Sequence, residues 1–158
     1  MNSRSPTHGA RSAMVLPWLW ILLAVLSAAA ELERVTEQSL RGDVVDHVVL
    51  LVPDKPPGRF LGPDLHLREL RYSVDEAADP EARVRGTLSF GRQSALQKKL
   101  RALLKQGEEF EMVVYFLAEN KLQRLRFERV KVVSGEKDRW EWTAAKVEIQ
   151  TVEKPPAP

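Results

Sequence analysis

The 158-residue chain contains no cysteine. That absence excludes a disulfide-stapled fold, a thiol nucleophile and a cysteine-ligated zinc site. Histidine is scarce as well, with only His47 and His66 beyond the first thirty residues. A metal centre needs three or four converging ligands, and these two with Asp46 or Asp64 make an incomplete set. No phosphate loop, dinucleotide fingerprint or G-x-S-x-G elbow occurs. Ser73 and Ser89 fall inside expected strands and Ser94 suits a helix cap, so no serine is offered a base and an orienting group. Carboxylates are spread over amphipathic faces and turns, with no pair placed for glycoside hydrolysis. The chain reads as a non-enzyme, and it implies no metal and no cofactor.

Acidic residues are absent from the first thirty positions, whereas all 22 of them follow. Arg4 and Arg11 precede an unbroken apolar run, Met14 to Leu26, and Ser27-Ala28-Ala29-Ala30 then places small residues at −3 and −1 before Glu31. This is the three-part pattern of a secretory signal peptide, with cleavage expected after Ala30 and export to the periplasm or outside the cell. The competing reading is an uncleaved anchor, since Ala13 to Ala30 spans 18 residues, close to the shortest hydrocarbon crossing. Pro17 and the abrupt change to Glu31-Leu32-Glu33-Arg34 favour cleavage, and membrane association is expected only if cleavage fails. Removing Arg4 and Arg11 from the 24 lysines and arginines leaves 22 basic residues against 22 acidic ones. The basic isoelectric point therefore belongs largely to the leader, and nucleic acid is not an expected partner.

After the leader we expect a lead segment over 31–43, one β-rich domain over 44–152 and a disordered tail over 153–158. Val44 to Val52 is a β-branched run bounded by Gly42 and Pro53, which predicts an interior strand. Pro53 to Asp64, with four prolines and two glycines, predicts a loop whose only apolar point is Phe60-Leu61. Arg83 to Gly91 alternates as a strand. From Ala95 to Gln106 the period changes: Leu96, Leu100, Leu103 and Leu104 recur at helical spacing between an N-cap at Ser94 and a C-cap at Gly107. Glu109 to Ala118 is apolar on both faces, and so needs cover on both. The helix is expected to supply one cover and a second sheet the other. Glu119-Asn120-Lys121 and Ser134 to Asp138 read as hairpin turns.

Three segments share an unusual spacing. Apolar residues fall at Leu65, Leu67, Leu70, Tyr72 and Val74; at Leu125, Phe127, Val130 and Val132; and at Trp140, Trp142, Ala145, Val147 and Ile149. Each set steps by two, slips once by three, then steps by two again. One extra residue would flip the buried face of a strand unless the strand bulges at the slip. Three strands bent by bulges follow, or else strands that end there. The expected fold is α+β, a predominantly antiparallel bent sheet forming a barrel or a two-layer sandwich, with one packed amphipathic helix. Over roughly Leu65 to Thr151 the pattern resembles that of the tube subunits of phage tails and type VI secretion machines, without any diagnostic motif. Those subunits assemble in the cytoplasm, and the leader points elsewhere.

Binding features are more prominent than catalytic ones. Arg92, Lys98, Lys99, Arg101 and Lys105 form a basic helix region without an acid, and Arg124, Arg126, Arg129 and Lys131 line one side of an expected strand. On the chain expected after cleavage, whose basic and acidic residues balance, such segregation suits an anionic partner, although a solvated helix and arginines paired with Glu111, Glu141 and Glu148 are the ordinary explanation. Trp140 and Trp142 share a face, suited either to stacking on sugar rings or to filling a core. Phe60 is a candidate docking point in the proline loop, or a plug for the end of the core. The expected function is a secreted or periplasmic, non-catalytic binding or assembly module that contacts a protein or an anionic envelope component. The alternative is a carrier or enzyme with a small apolar ligand inside a barrel.

Overall fold

The computed structural model describes residues 35–153. The expected leader, the cleavage expected after Ala30, the first residues of the lead segment and the expected disordered tail beyond Glu153 lie outside the described residues. Nine strands are present among them: β1 (Val35–Arg41), β2 (Val45–Leu51), β3 (Gly58–Leu61), β4 (Leu67–Asp75), β5 (Val84–Phe90), β6 (Phe110–Ala118), β7 (Lys121–Glu136), β8 (Arg139–Ala144) and β9 (Lys146–Thr151). One helix of three turns, α1 (Ala95–Gln106), lies between β5 and β6. The strands follow the order β1-β4-β5-β8-β7-β6-β2-β3, with β9 on β7. The described pairings are antiparallel.

The sheet does not close. It is an α+β sandwich, so of the two expected architectures the barrel is set aside. The turn between its layers is made by β7, sixteen residues long, whose first half pairs with β6 and β9 and whose second half pairs with β8. Phe110 faces Val130 and Met112 faces Phe127, so β7 carries one extra residue against β6 at the expected slip. Arg129 absorbs it in the left-handed region, at φ 55°. A second bulge between Val132 and Ser134 leaves Val133 as the extra residue, which explains why this valine is 56% exposed. Arg68 is the extra residue of β4, between Leu67 and Glu69, so the slip in the first set is a bulge too.

The third set differs in detail. Trp140, Trp142 and Ala144 keep the period of two and are buried; the break falls at Ala145, one step later than expected, and separates β8 from β9. Ala145 N–H donates to the Glu128 carbonyl at 2.9 Å, so both strands bend together at the Arg129 bulge. Three further elements depart from expectation. The lead segment supplies β1, which hydrogen-bonds to β4. The proline segment is not all loop, because Gly58–Leu61 pairs with β2 and Gly62–Leu65 forms a helical turn. Prolines surround β3 without entering it, and it lies at the sheet edge, where an unpaired side is tolerated. Leu65 is buried from that helical turn and is not part of β4.

Helix α1 begins and ends where its caps dictate. Ser94 Oγ accepts from Gln97 N–H at 3.3 Å, Gln97 Oε1 accepts from Ser94 N–H at 3.1 Å, and Gly107 closes the helix at φ 63°. Leu96, Leu100 and Leu103 are buried and Leu104 is half-buried. The helix packs mainly on β7, not on β6 as the two-sided apolar pattern suggested. Between the layers Phe127 stacks edge-on with Tyr72 at 5.2 Å and with Trp142 at 4.8 Å. Trp140, Phe90, Leu88 and Met112 fill the remaining interior.

Candidate binding surfaces

The two groups of cations singled out from sequence sit in different electrostatic surroundings. On β7 two of the three arginines, Arg126 and Arg129, are matched with acids. Arg126 is paired with Glu111 on β6 and approaches Glu128 at 3.8 Å, and its guanidinium is held above its ordinary range, first by the hydrogen bond it donates to the Glu111 carboxylate. Arg129 reaches Glu109 at 3.5 Å and Glu81 at 3.7 Å. Arg124 donates to the Gln150 side chain. Beside them Lys146 and Glu148 bond at 2.5 Å, which lowers the Glu148 carboxyl and raises the Lys146 ammonium. Lys131, on the far side of the bulge, is exposed.

On α1 the charges stand apart from acids. Lys98, Arg101 and Lys105 are exposed at helical spacing, Lys99 is half-buried beside them, and Arg92 is exposed just before the helix. Among the described residues none of the five has a carboxylate at ion-pair distance. Arg101 is positioned over the Trp140 ring, 5.9 Å from its centroid, a cation–π arrangement that steadies the guanidinium without neutralising it. Gln97 Nε2 donates to the Lys137 carbonyl at 3.0 Å and so fixes the tip of the β7–β8 hairpin against the same helix.

The aromatic candidates are absorbed by the core. Trp140 and Trp142 are each 2% exposed, so they fill the sandwich and present no platform for a sugar; their indole N–H groups find no acceptor among the described residues. Phe60 lies on the inner face opposite Val48, packed against the core, and leaves Leu61 exposed next to it. His47 stacks on Tyr115 at 4.1 Å, and its Nδ1 lies 2.6 Å from the Asp46 carboxylate. Asp46 is the extra residue of a bulge in β2, which is what brings its carboxylate beside the neighbouring ring. His66 is exposed, in the left-handed region at φ 49°. No three His, Asp or Glu side chains among the described residues converge as a metal site.

A shallow depression of about 340 Å³ opens where Leu51, Val52 and Pro53 meet Glu109, Phe110, Glu111 and Arg129. Its charged rim is occupied by the Arg129–Glu109 pair. No described helix is long and apolar enough to cross a membrane. Comparison of the chain with protein families, with curated proteins and with solved structures found no match.

Proposed function

We propose that this is an exported, non-catalytic binding module that holds an anionic envelope component, lipid headgroups or an acidic polymer, against the basic face of α1. The observation that carries the reading is the contrast between the two cationic groups. Arg126 and Arg129 on β7 spend their charge on Glu111, Glu109 and Glu81, whereas Lys98, Arg101 and Lys105 on α1 keep theirs for solvent. Like charges gathered without counter-charges create a summed field that draws an anionic surface and is screened by salt within about 10 Å at 0.1 M. The filled interior supports this reading over a carrier, which needs a hollow for its ligand. Export rests on the leader, with cleavage after Ala30.

The test is co-sedimentation of the protein with phosphatidylglycerol-containing vesicles and with an acidic polysaccharide. Binding at low ionic strength is expected to fall steeply with added salt. Changing Lys98, Arg101 and Lys105 together to Gln should abolish it with the melting temperature nearly unchanged. Absence of binding to both probes at low salt overturns the reading.

A further inference from the structure

The cationic face of α1 does not stop at the helix. Arg68 is the extra residue of the β4 bulge, between Leu67, which faces Phe90, and Glu69, which faces Ser89. A bulge re-aims the side chain it carries, and this one lays Arg68 along Gly91. A methyl group at Gly91 would stand 3.4 Å from the Arg68 Nε and 3.7 Å from its Cγ. The same glycine donates its N–H to the His66 carbonyl at 2.8 Å, which ties the end of β5 to the chain entering β4. Arg92 follows Gly91, and Ser94 then caps α1. Arg68 and Arg92 are both exposed, and among the described residues neither has a carboxylate at ion-pair distance.

Lys105, Arg101, Lys98, Arg92 and Arg68 thus form one strip of cations. From Lys105 to Arg92 it is roughly 20 Å long, taking the helical rise as far as Ser94 and two extended residues beyond it. Two features of its surroundings bear on what it can hold. The large apolar side chains that are exposed, Leu61, Leu117, Val133 and Ile149, all lie outside the strip, and the exposed uncharged positions of α1 are Ala95 and Gln106. Acids stand beside it: Asp64 is exposed in the helical turn Gly62–Leu65 that packs next to α1, and Glu136 and Asp138 are exposed at the hairpin tip that Gln97 holds.

We propose that the occupant of the basic face is a single strand of an acidic polysaccharide, lying along α1 and across Gly91 to Arg68, and not a bilayer. The inference rests on the function proposed above and narrows it. A bilayer is a plane, and an anionic one seated on the strip is repelled by Asp64, Glu136 and Asp138. It also finds no apolar side chain to bury, and buried apolar area is what holds an interfacial helix to a membrane. A single strand follows the cations and leaves the acids in solvent. With Trp140 and Trp142 inside the core there is no exposed indole for a sugar to stack on, so the strand is held through its charged groups, and binding depends on how many cations it spans and on salt.

Fluorescence anisotropy of labelled oligogalacturonates of graded length, with the purified protein as processed in the cell, tests this beside co-sedimentation with phosphatidylglycerol-containing vesicles in the same low-salt buffer. Affinity should rise with chain length until the strand covers roughly 20 Å and then level off, and vesicles should bind more weakly than the long chains. Arg68→Gln should weaken long-chain binding by roughly threefold or more and make it less steeply salt-dependent. Arg85→Gln removes the same charge six residues along β5 from Gly91, roughly 20 Å away, and should leave binding unchanged. Binding to neither probe overturns this inference together with the reading it rests on. Vesicle binding that equals or exceeds polymer binding, an affinity indifferent to chain length, or an Arg68→Gln variant that binds like Arg85→Gln overturns the inference alone.

Discussion

Trp142 lies over Gly86. The two are opposite each other on β8 and β5, and a methyl group at Gly86 would stand 2.1 Å from the indole Cζ2. Trp140 repeats the arrangement on the other side of β8, where its ring covers Gly135 on β7 with the same 2.1 Å clearance. Each glycine is the socket into which a large inward-facing ring folds, and the rings then meet Phe127 and α1.

Gly86→Ala should therefore act as an overpacking substitution. Denaturant unfolding should show a loss of roughly 1–3 kcal/mol. An unchanged midpoint would mean that Trp142 can leave its socket at no cost.

The helix is held by its leucines. Leu100→Ala should cost roughly 2–5 kcal/mol, the range for a buried leucine that leaves a cavity, whereas Lys99→Ala should change stability little. Chemical denaturation of the two variants side by side checks this, and equal small effects would make α1 peripheral.

Arg129 carries two opposed contributions. Its left-handed backbone at the bulge is strained for a residue with a side chain, while its guanidinium pairs with Glu109 and Glu81. Arg129→Ala loses the pairs and keeps the strain; Arg129→Gly loses the pairs and relieves it. The glycine variant should be the more stable of the two by roughly 1 kcal/mol, read as the difference in urea midpoints.

Burial of Tyr72 raises its phenol above the ordinary value. The neutral form is the one that fits the core, so its contribution is complete below the unfolded-state pKa of about 10 and is lost as pH rises through the higher folded-state value. Thermal unfolding between neutral and strongly alkaline pH should show stability falling above about pH 10, and Tyr72→Phe should flatten that limb relative to the parent protein.

Intact mass of the protein purified from cells checks the proposed leader. Cleavage should leave Glu31 as the first residue. A species that retains Met14 to Leu26 and fractionates with membranes would establish an anchor.

Local patterns carried much of the architecture. Helix α1 was legible to the residue because its caps, Ser94 and Gly107, and its leucine spacing are all local. The bulges in β4 and β7 were legible because one extra residue in a period of two leaves a mark in the sequence, although a strand break leaves the same mark, as between β8 and β9. The break at Ala145 was read one step early, since Ala144 and Ala145 are identical side chains and only burial distinguishes them. Strands β1 and β3 escaped because neither Val35–Arg41 nor Gly58–Leu61 has a period of its own; each is a strand by virtue of the ladder it joins.

By itself the sequence determined the alternation of strands, the single helix, the capping and the absence of thiol chemistry, all of which depend on neighbours within a few residues. Only the tertiary structure decided which cations are free. Arg126 and Lys98 look alike in a row of letters, but Glu111 lies fifteen residues before Arg126 and reaches it only because β6 and β7 pair. It also decided that the tryptophans are core, because the glycines that receive them lie on other strands. The physical reason is the same in each case: a charge is neutralised and a ring is buried by what lies across the ladder, and the partner across the ladder is set by how the chain folds back on itself.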